Sequence, residues 1–115
     1  MTPYEVYFAT DMSLESFAGW LREVLNLPEI NRSPYQVEQR RYGVNYGGDY
    51  YLFEALGFEF LLFRNQGEVE IPEYADYHLY LIVKSADDAL NRSMAENIAR
   101  LVEAEGVATR VDSVA

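Results

Sequence analysis

Residues 47–64, Gly47-Gly48-Asp49-Tyr50-Tyr51-Leu52-Phe53-Glu54-Ala55-Leu56-Gly57-Phe58-Glu59-Phe60-Leu61-Leu62-Phe63-Arg64, form the most apolar and most aromatic stretch of this sequence. A run so rich in Tyr, Phe and Leu belongs in the middle of a fold. An unbroken strand over 50–64 would span about 45–50 Å at roughly 3.3 Å per residue, too long for a small domain in which strands run about 5–6 residues. The run has to break, and Gly57 is the natural place, because glycine accepts a tight bend without a Cβ clash. The pattern predicts strands at 50–55 and 58–64 joined by a bend at Leu56-Gly57. Continuous alternation puts Leu52, Phe58, Phe60 and Leu62 on one face, and Tyr51, Phe53, Leu61 and Phe63 on the other with Glu59. Both faces are apolar, which describes a central strand pair with one face against helices and the other partly covered. Leu52 and Phe60 are expected to be buried. Glu54 and Glu59 are the anomalies. They are expected to tip into solvent beside Arg64, because an unpaired buried carboxylate is costly.

The rest of the chain arranges itself around this pair. Residues 4–10 read as a strand, with Tyr4, Val6 and Phe8 on one face. Ser13 is a plausible cap for a helix over 13–26, with Leu14, Phe17, Trp20, Leu21, Val24 and Leu25 at helical spacing and Pro28 to stop it. Trp20 reads as a core residue. Two prolines and small polar residues make 28–37 a loop, and a weak strand follows at 38–46. Arg32, Arg40 and Arg41 form a small basic spot there. Asn65-Gln66-Gly67 is a turn and 68–71 a short return strand ended by Pro72, after which 73–76 is a loop. Residues 77–84 are a clear strand, with Leu81 and Val83 expected inside. Ser85-Ala86-Asp87-Asp88 caps a second helix over 86–105, with Leu90, Met94, Ile98, Leu101 and Val102 as its buried stripe and Gly106 as its end. Residues 107–111 form a last, edge strand. The fold class is α+β, in the order β-α-β-β-β-(β)-β-α-β: a mostly antiparallel sheet with two helices on one face.

With 115 residues the chain is expected to be a single globular domain, 1–115. It has no cysteine, so disulfides and thiolate metal sites are excluded. The N-terminus shows no basic region followed by an apolar run, and no uncharged stretch approaches the ~20 residues of a membrane helix. The expected location is the cytoplasm. The formal net charge of −10, with Lys84 the sole lysine, argues against nucleic acid and anionic membrane as partners. It suits a basic protein partner or a solvated acidic surface.

Catalytic chemistry has little to draw on. His78 is the one histidine and has no evident partner in sequence. There is no phosphate loop and no dinucleotide fingerprint; the glycines punctuate turns. Glu68, Glu70 and Glu73 lie close together but lack the spacing of a calcium loop. The expectation is a non-enzymatic chain with no catalytic residues, no metal and no cofactor. What stands out is distribution: over 49–76 seven acids face Arg64 alone, interleaved with tyrosines. Tyrosine brings contact area at low entropy cost and acids select a basic partner, so the mixture suits an interface. Turn positions are the exposed ones, and they single out Asp49, Glu68, Glu70, Glu73, Tyr74, Asp76 and Tyr77 as partner-binding candidates.

The run Gly47-Gly48-Asp49-Tyr50-Tyr51-Leu52-Phe53-Glu54-Ala55-Leu56-Gly57-Phe58, continued by Arg64-Asn65-Gln66-Gly67-Glu68, resembles the central segment of small immunity proteins of bacterial polymorphic-toxin systems, including the contact-dependent growth inhibition type. The resemblance implies a cytosolic protein that binds one cognate toxin domain, such as a nuclease with a basic cleft, and blocks its active site or substrate path. Binding residues vary within that family, so none is transferred; the candidates above rest on charge and exposure. Two other readings stay open: a small-ligand or enzymatic α+β domain with a cavity between helices and sheet, and a homodimeric structural module pairing through an edge strand.

Overall fold

The structure is a computed structural model that describes residues 2–27, 31–33, 50–65 and 76–113. The described elements are β1 (Tyr4–Ala9), α1 (Leu14–Leu25), β2 (Asn31–Ser33), β3 (Tyr50–Ala55), β4 (Phe58–Arg64), β5 (Leu79–Lys84), α2 (Asp88–Glu103) and β6 (Ala108–Ser113). They form one six-stranded sheet in the order β2-β3-β4-β5-β1-β6, antiparallel at every joint. The class is α+β. Strands β5 and β6 flank β1, each antiparallel to it, so β5, α2 and β6 make a βαβ crossover split by the N-terminal strand.

Each helix begins where its capping residue stands. The Ser13 hydroxyl accepts the Ser16 amide at 3.1 Å and opens α1. The Asp87 carboxylate accepts the Leu90 amide at 3.0 Å and opens α2, so the cap lies two residues beyond the expected Ser85. Ser85 instead braces the junction, its hydroxyl donating to Asn91 Oδ1 at 2.6 Å. Asn91 is fully buried and donates to the Thr2 carbonyl at 3.2 Å, tying the N-terminus to α2. Helix α1 ends at Asn26, whose left-handed φ of 52° turns the chain before Pro28 is reached.

Both helices lie on one face of the sheet. Leu14, Phe17, Ala18 and Leu21 of α1 and Ala95, Ile98, Ala99 and Val102 of α2 share one core cluster with Val6, Phe8, Phe53, Phe60, Leu62, Leu81 and Val83. Trp20 packs on that core with its ring 5.2 Å from Phe17. The opposite face carries a second cluster, Tyr7, Phe63, Tyr80 and Ile82, with Tyr50, Leu61 and Tyr77 against it. Its rings form a ladder across four strands: Tyr7–Tyr80, Tyr80–Phe63 and Phe63–Tyr50 centroids are each 5.3 Å apart.

Three sequence expectations are corrected. The facing of the central pair is the first. A two-residue turn pairs Phe53 with Phe60 and Tyr51 with Leu62, and cross-strand partners share a face. Tyr51 and Phe53 therefore join Phe58, Phe60 and Leu62 under the helices, while Leu52 pairs with Leu61 on the other side and is only half-buried. Alternation counted straight through the turn gives the wrong parity. The second is the stripe of α2. Asn91, Ala95, Ile98, Ala99 and Val102 are buried, while Leu90 and Leu101 are exposed. Small residues let the helix approach the sheet closely, and that rotates the leucines outward. The third is the loop over 28–37, within which Asn31–Ser33 form a short edge strand paired with Tyr50–Leu52. The strands expected at 38–46 and 68–71 lie outside the described residues.

Candidate interaction surface

The β3–β4 hairpin closes with Ala55 opposite Phe58, leaving Leu56 and Gly57 as the turn. Their φ values are +52° and +82°. Positive φ at both central positions is the pattern of a type I′ turn, which favours Asn-Gly. An L-residue in this region costs roughly 1–2 kcal/mol, and leucine has no polar side chain to offset it. Burial offsets nothing either, because Leu56 is 92% exposed. Just below the turn, Glu54 and Glu59 are directly opposed, a like-charge pairing that weakens a hairpin. Both are exposed, as expected from sequence. Lys84 lies next across the sheet from Glu59, yet among the described residues no ion pair joins it to either glutamate. Strain, exposed apolar area and like charge thus meet at one end of the sheet.

A groove adjoins this turn. Its walls are the end of α1 at Leu25–Leu27, the turn at Ala55–Leu56, and the Met94, Asn97, Ile98 and Leu101 side of α2, with Phe60 at its floor and a volume of about 300 Å³. A shallower depression of about 490 Å³ continues it along α2, past Phe58, Leu90 and Met94. The outward line on α2 is regular. Leu90, Met94, Asn97 and Leu101 follow at steps of four, three and four, one residue behind the inward line Asn91, Ala95, Ile98 and Val102. Successive helical residues turn by about 100°, so one seam packs on the sheet while its neighbour borders the groove. Leu90 is 53% and Leu101 40% exposed.

The helix-free face holds the other unusual group. Glu5 is 3% exposed on β1, and the Tyr7 hydroxyl donates to its Oε1 at 3.2 Å. Asp112 of β6 is its cross-strand neighbour. Sequence reading passed over Glu5, although the placing of Val6 and Phe8 on the helix face leaves Glu5 and Tyr7 on this one.

Of the candidates read from sequence, Asp76 is exposed in a turn. Tyr77 is half-buried, its ring edge-on to Tyr7 at 6.4 Å and its carbonyl accepting from Asn65 Nδ2 at 2.9 Å. It therefore belongs to the second cluster as well as to the surface. Asp49, Glu68, Glu70, Glu73 and Tyr74 lie outside the described residues. Leu56, Leu90 and Leu101 were missed. For Leu56 a signal existed: a leucine stands where a two-residue turn calls for asparagine.

His78 is exposed, its Nδ1 3.9 Å from Oδ1 of a fully exposed Asp11. Among the described residues no group of three or more His, Cys, Asp or Glu is placed to hold a metal ion, and no helix is long and apolar enough to cross a membrane. No family model matches the chain, and neither does any curated protein.

Proposed function

We propose that the chain is a cytoplasmic immunity protein that binds a cognate bacterial toxin domain and neutralises it without catalysis of its own. The observation that carries this reading is the β3–β4 turn, where a leucine is held in the left-handed region with 92% of its surface in water. Among the described residues it adds nothing to the core, which supports a use outside the fold, in a partner. The turn falls within the acidic, tyrosine-rich stretch 49–76, and the net charge of −10 favours a basic toxin surface. Asp49, Glu68, Glu70, Glu73, Tyr74, Asp76 and Tyr77 are the proposed flanking contacts, with the acids steering association and a tyrosine anchoring the complex.

The experiment reads the genes flanking this one and co-expresses the chain with the toxin domain that this reading expects among them. Protection from growth arrest and a stoichiometric complex in native mass spectrometry are expected. Charge reversal at Glu70 and Glu73 should slow association, more at low salt than at high. Tyr74→Ala should speed dissociation. Absence of protection, or of any complex, would sink the reading. Unchanged rates in all variants, with binding lost instead on altering Arg32, Arg40 and Arg41, would move the contact to another face.

A further inference from the structure

We infer that the groove between α2 and the β3–β4 turn receives the apolar face of a basic amphipathic helix from the partner protein. This rests on the binding-protein reading and adds the form and charge of what is bound.

The steps of four, three and four from Leu90 through Met94 and Asn97 to Leu101 are those by which one helix packs along another. The line covers about 16 Å at 1.5 Å per residue, close to three turns, which is the reach of a helix lying in a groove rather than of a single inserted side chain. The opposing wall is present in this chain: Leu27 and Leu56 stand across the groove from Met94 and Leu101. Asn97 sits mid-seam with its Oδ1 taken by Arg100, and a lone polar residue in such a seam fixes the register of a partner helix.

Charge decides between occupants. A second copy would bring another −10 to the same surface. Glu23 and Glu105, both exposed, border Leu101 at the far end of the seam, whereas Glu54 and Glu59 project from the opposite face of the sheet. A helix with Lys or Arg beside its apolar stripe satisfies the leucines together with Glu23 and Glu105, and draws on the long-range field of the whole chain.

The test uses the full chain, labelled for amide NMR. It is titrated with a synthetic Leu/Lys amphipathic helix of roughly fourteen residues, enough to cover the seam, and with its Leu/Glu counterpart. The Leu/Lys peptide is expected to shift the amides around Leu56, Leu90, Met94 and Leu101, with affinity falling as salt rises. The Leu90→Gln/Leu101→Gln double variant should keep a dispersed spectrum and bind at least about tenfold more weakly. Shifts confined to the helix-free face or to β6, equal binding of the Leu/Glu peptide, no binding at all, or affinity untouched in the double variant would each overturn the inference. So would loss of the fold in that variant, since it would show the leucines to be core. The two readings fail separately. Peptide binding in the groove with no toxin neutralised retains the groove and rejects immunity. Full protection by a double variant that has lost peptide binding retains immunity and rejects the groove.

Discussion

Strand β5 and the β3–β4 turn are both apolar pieces of one sheet, and they are treated in opposite ways. In β5, Leu79, Tyr80, Leu81, Ile82 and Val83 are all buried, alternately under the helices and in the second cluster on the opposite face. Every side chain there removes apolar surface from water on folding. At the turn, Leu56 removes almost none, occupies an unfavourable backbone region, and is flanked by two opposed glutamates. The same residue type serves the fold in one place and the surface in the other. Hydrophobicity alone therefore does not locate a core; register and backbone conformation do.

That contrast can be broken by substitution. The largest effect belongs to the core beneath the helices. Phe60 is 2% exposed, and Phe60→Ala should lower unfolding stability by about 3–5 kcal/mol in a denaturant titration. A loss below about 1 kcal/mol would show that the site collapses freely and is not a packed centre. Next comes the buried polar joint. Asn91→Ala removes the acceptor of the Ser85 hydroxyl and the donor to the Thr2 carbonyl. Ser85 keeps the Asp87 carbonyl as an acceptor at 3.3 Å, but the Thr2 carbonyl loses its donor, at a cost of about 1–3 kcal/mol readable as a lower denaturation midpoint and faster amide exchange at the start of α2. The smallest effect is expected at the hairpin. Glu54→Gln relieves the like-charge pairing, so it should stabilise slightly at low salt and do nothing at high salt. A destabilisation there would place Glu54 in a favourable interaction and weaken the contrast.

Much of the fold was legible in the sequence, and what was not has identifiable causes. The stripe of α1 could be read because its large residues, Leu14, Phe17 and Leu21, are also its buried ones. The break at Leu56-Gly57 could be read because a glycine interrupts a run too long for one strand. The faces of β3 and β4 could not, because parity across a hairpin depends on the length of its turn. For α2, size misled: Leu90 and Leu101 outrank Asn91, Ala95 and Ala99 in hydropathy, yet close approach to the sheet selects the small residues. Glu5 was opaque for a different reason, since its burial is a property of the assembled sheet and only its Tyr7 neighbour is local. At the candidate surface the acids Glu54 and Glu59 were read correctly as exposed. The exposed leucines were not, because sequence patterns assign leucine to the interior by default.

The central claim is that the leucine at the turn contributes nothing to folding. The direct measurement is the equilibrium stability of Leu56→Asn beside the wild-type chain, in the same denaturant series. Asparagine accepts positive φ and gives up no buried area here, so the variant should be more stable, by about 0.5–1 kcal/mol. A loss of stability of the size seen for a core truncation would mean that Leu56 is packed within the fold, and the account of this end of the molecule as a surface for a partner would be contradicted.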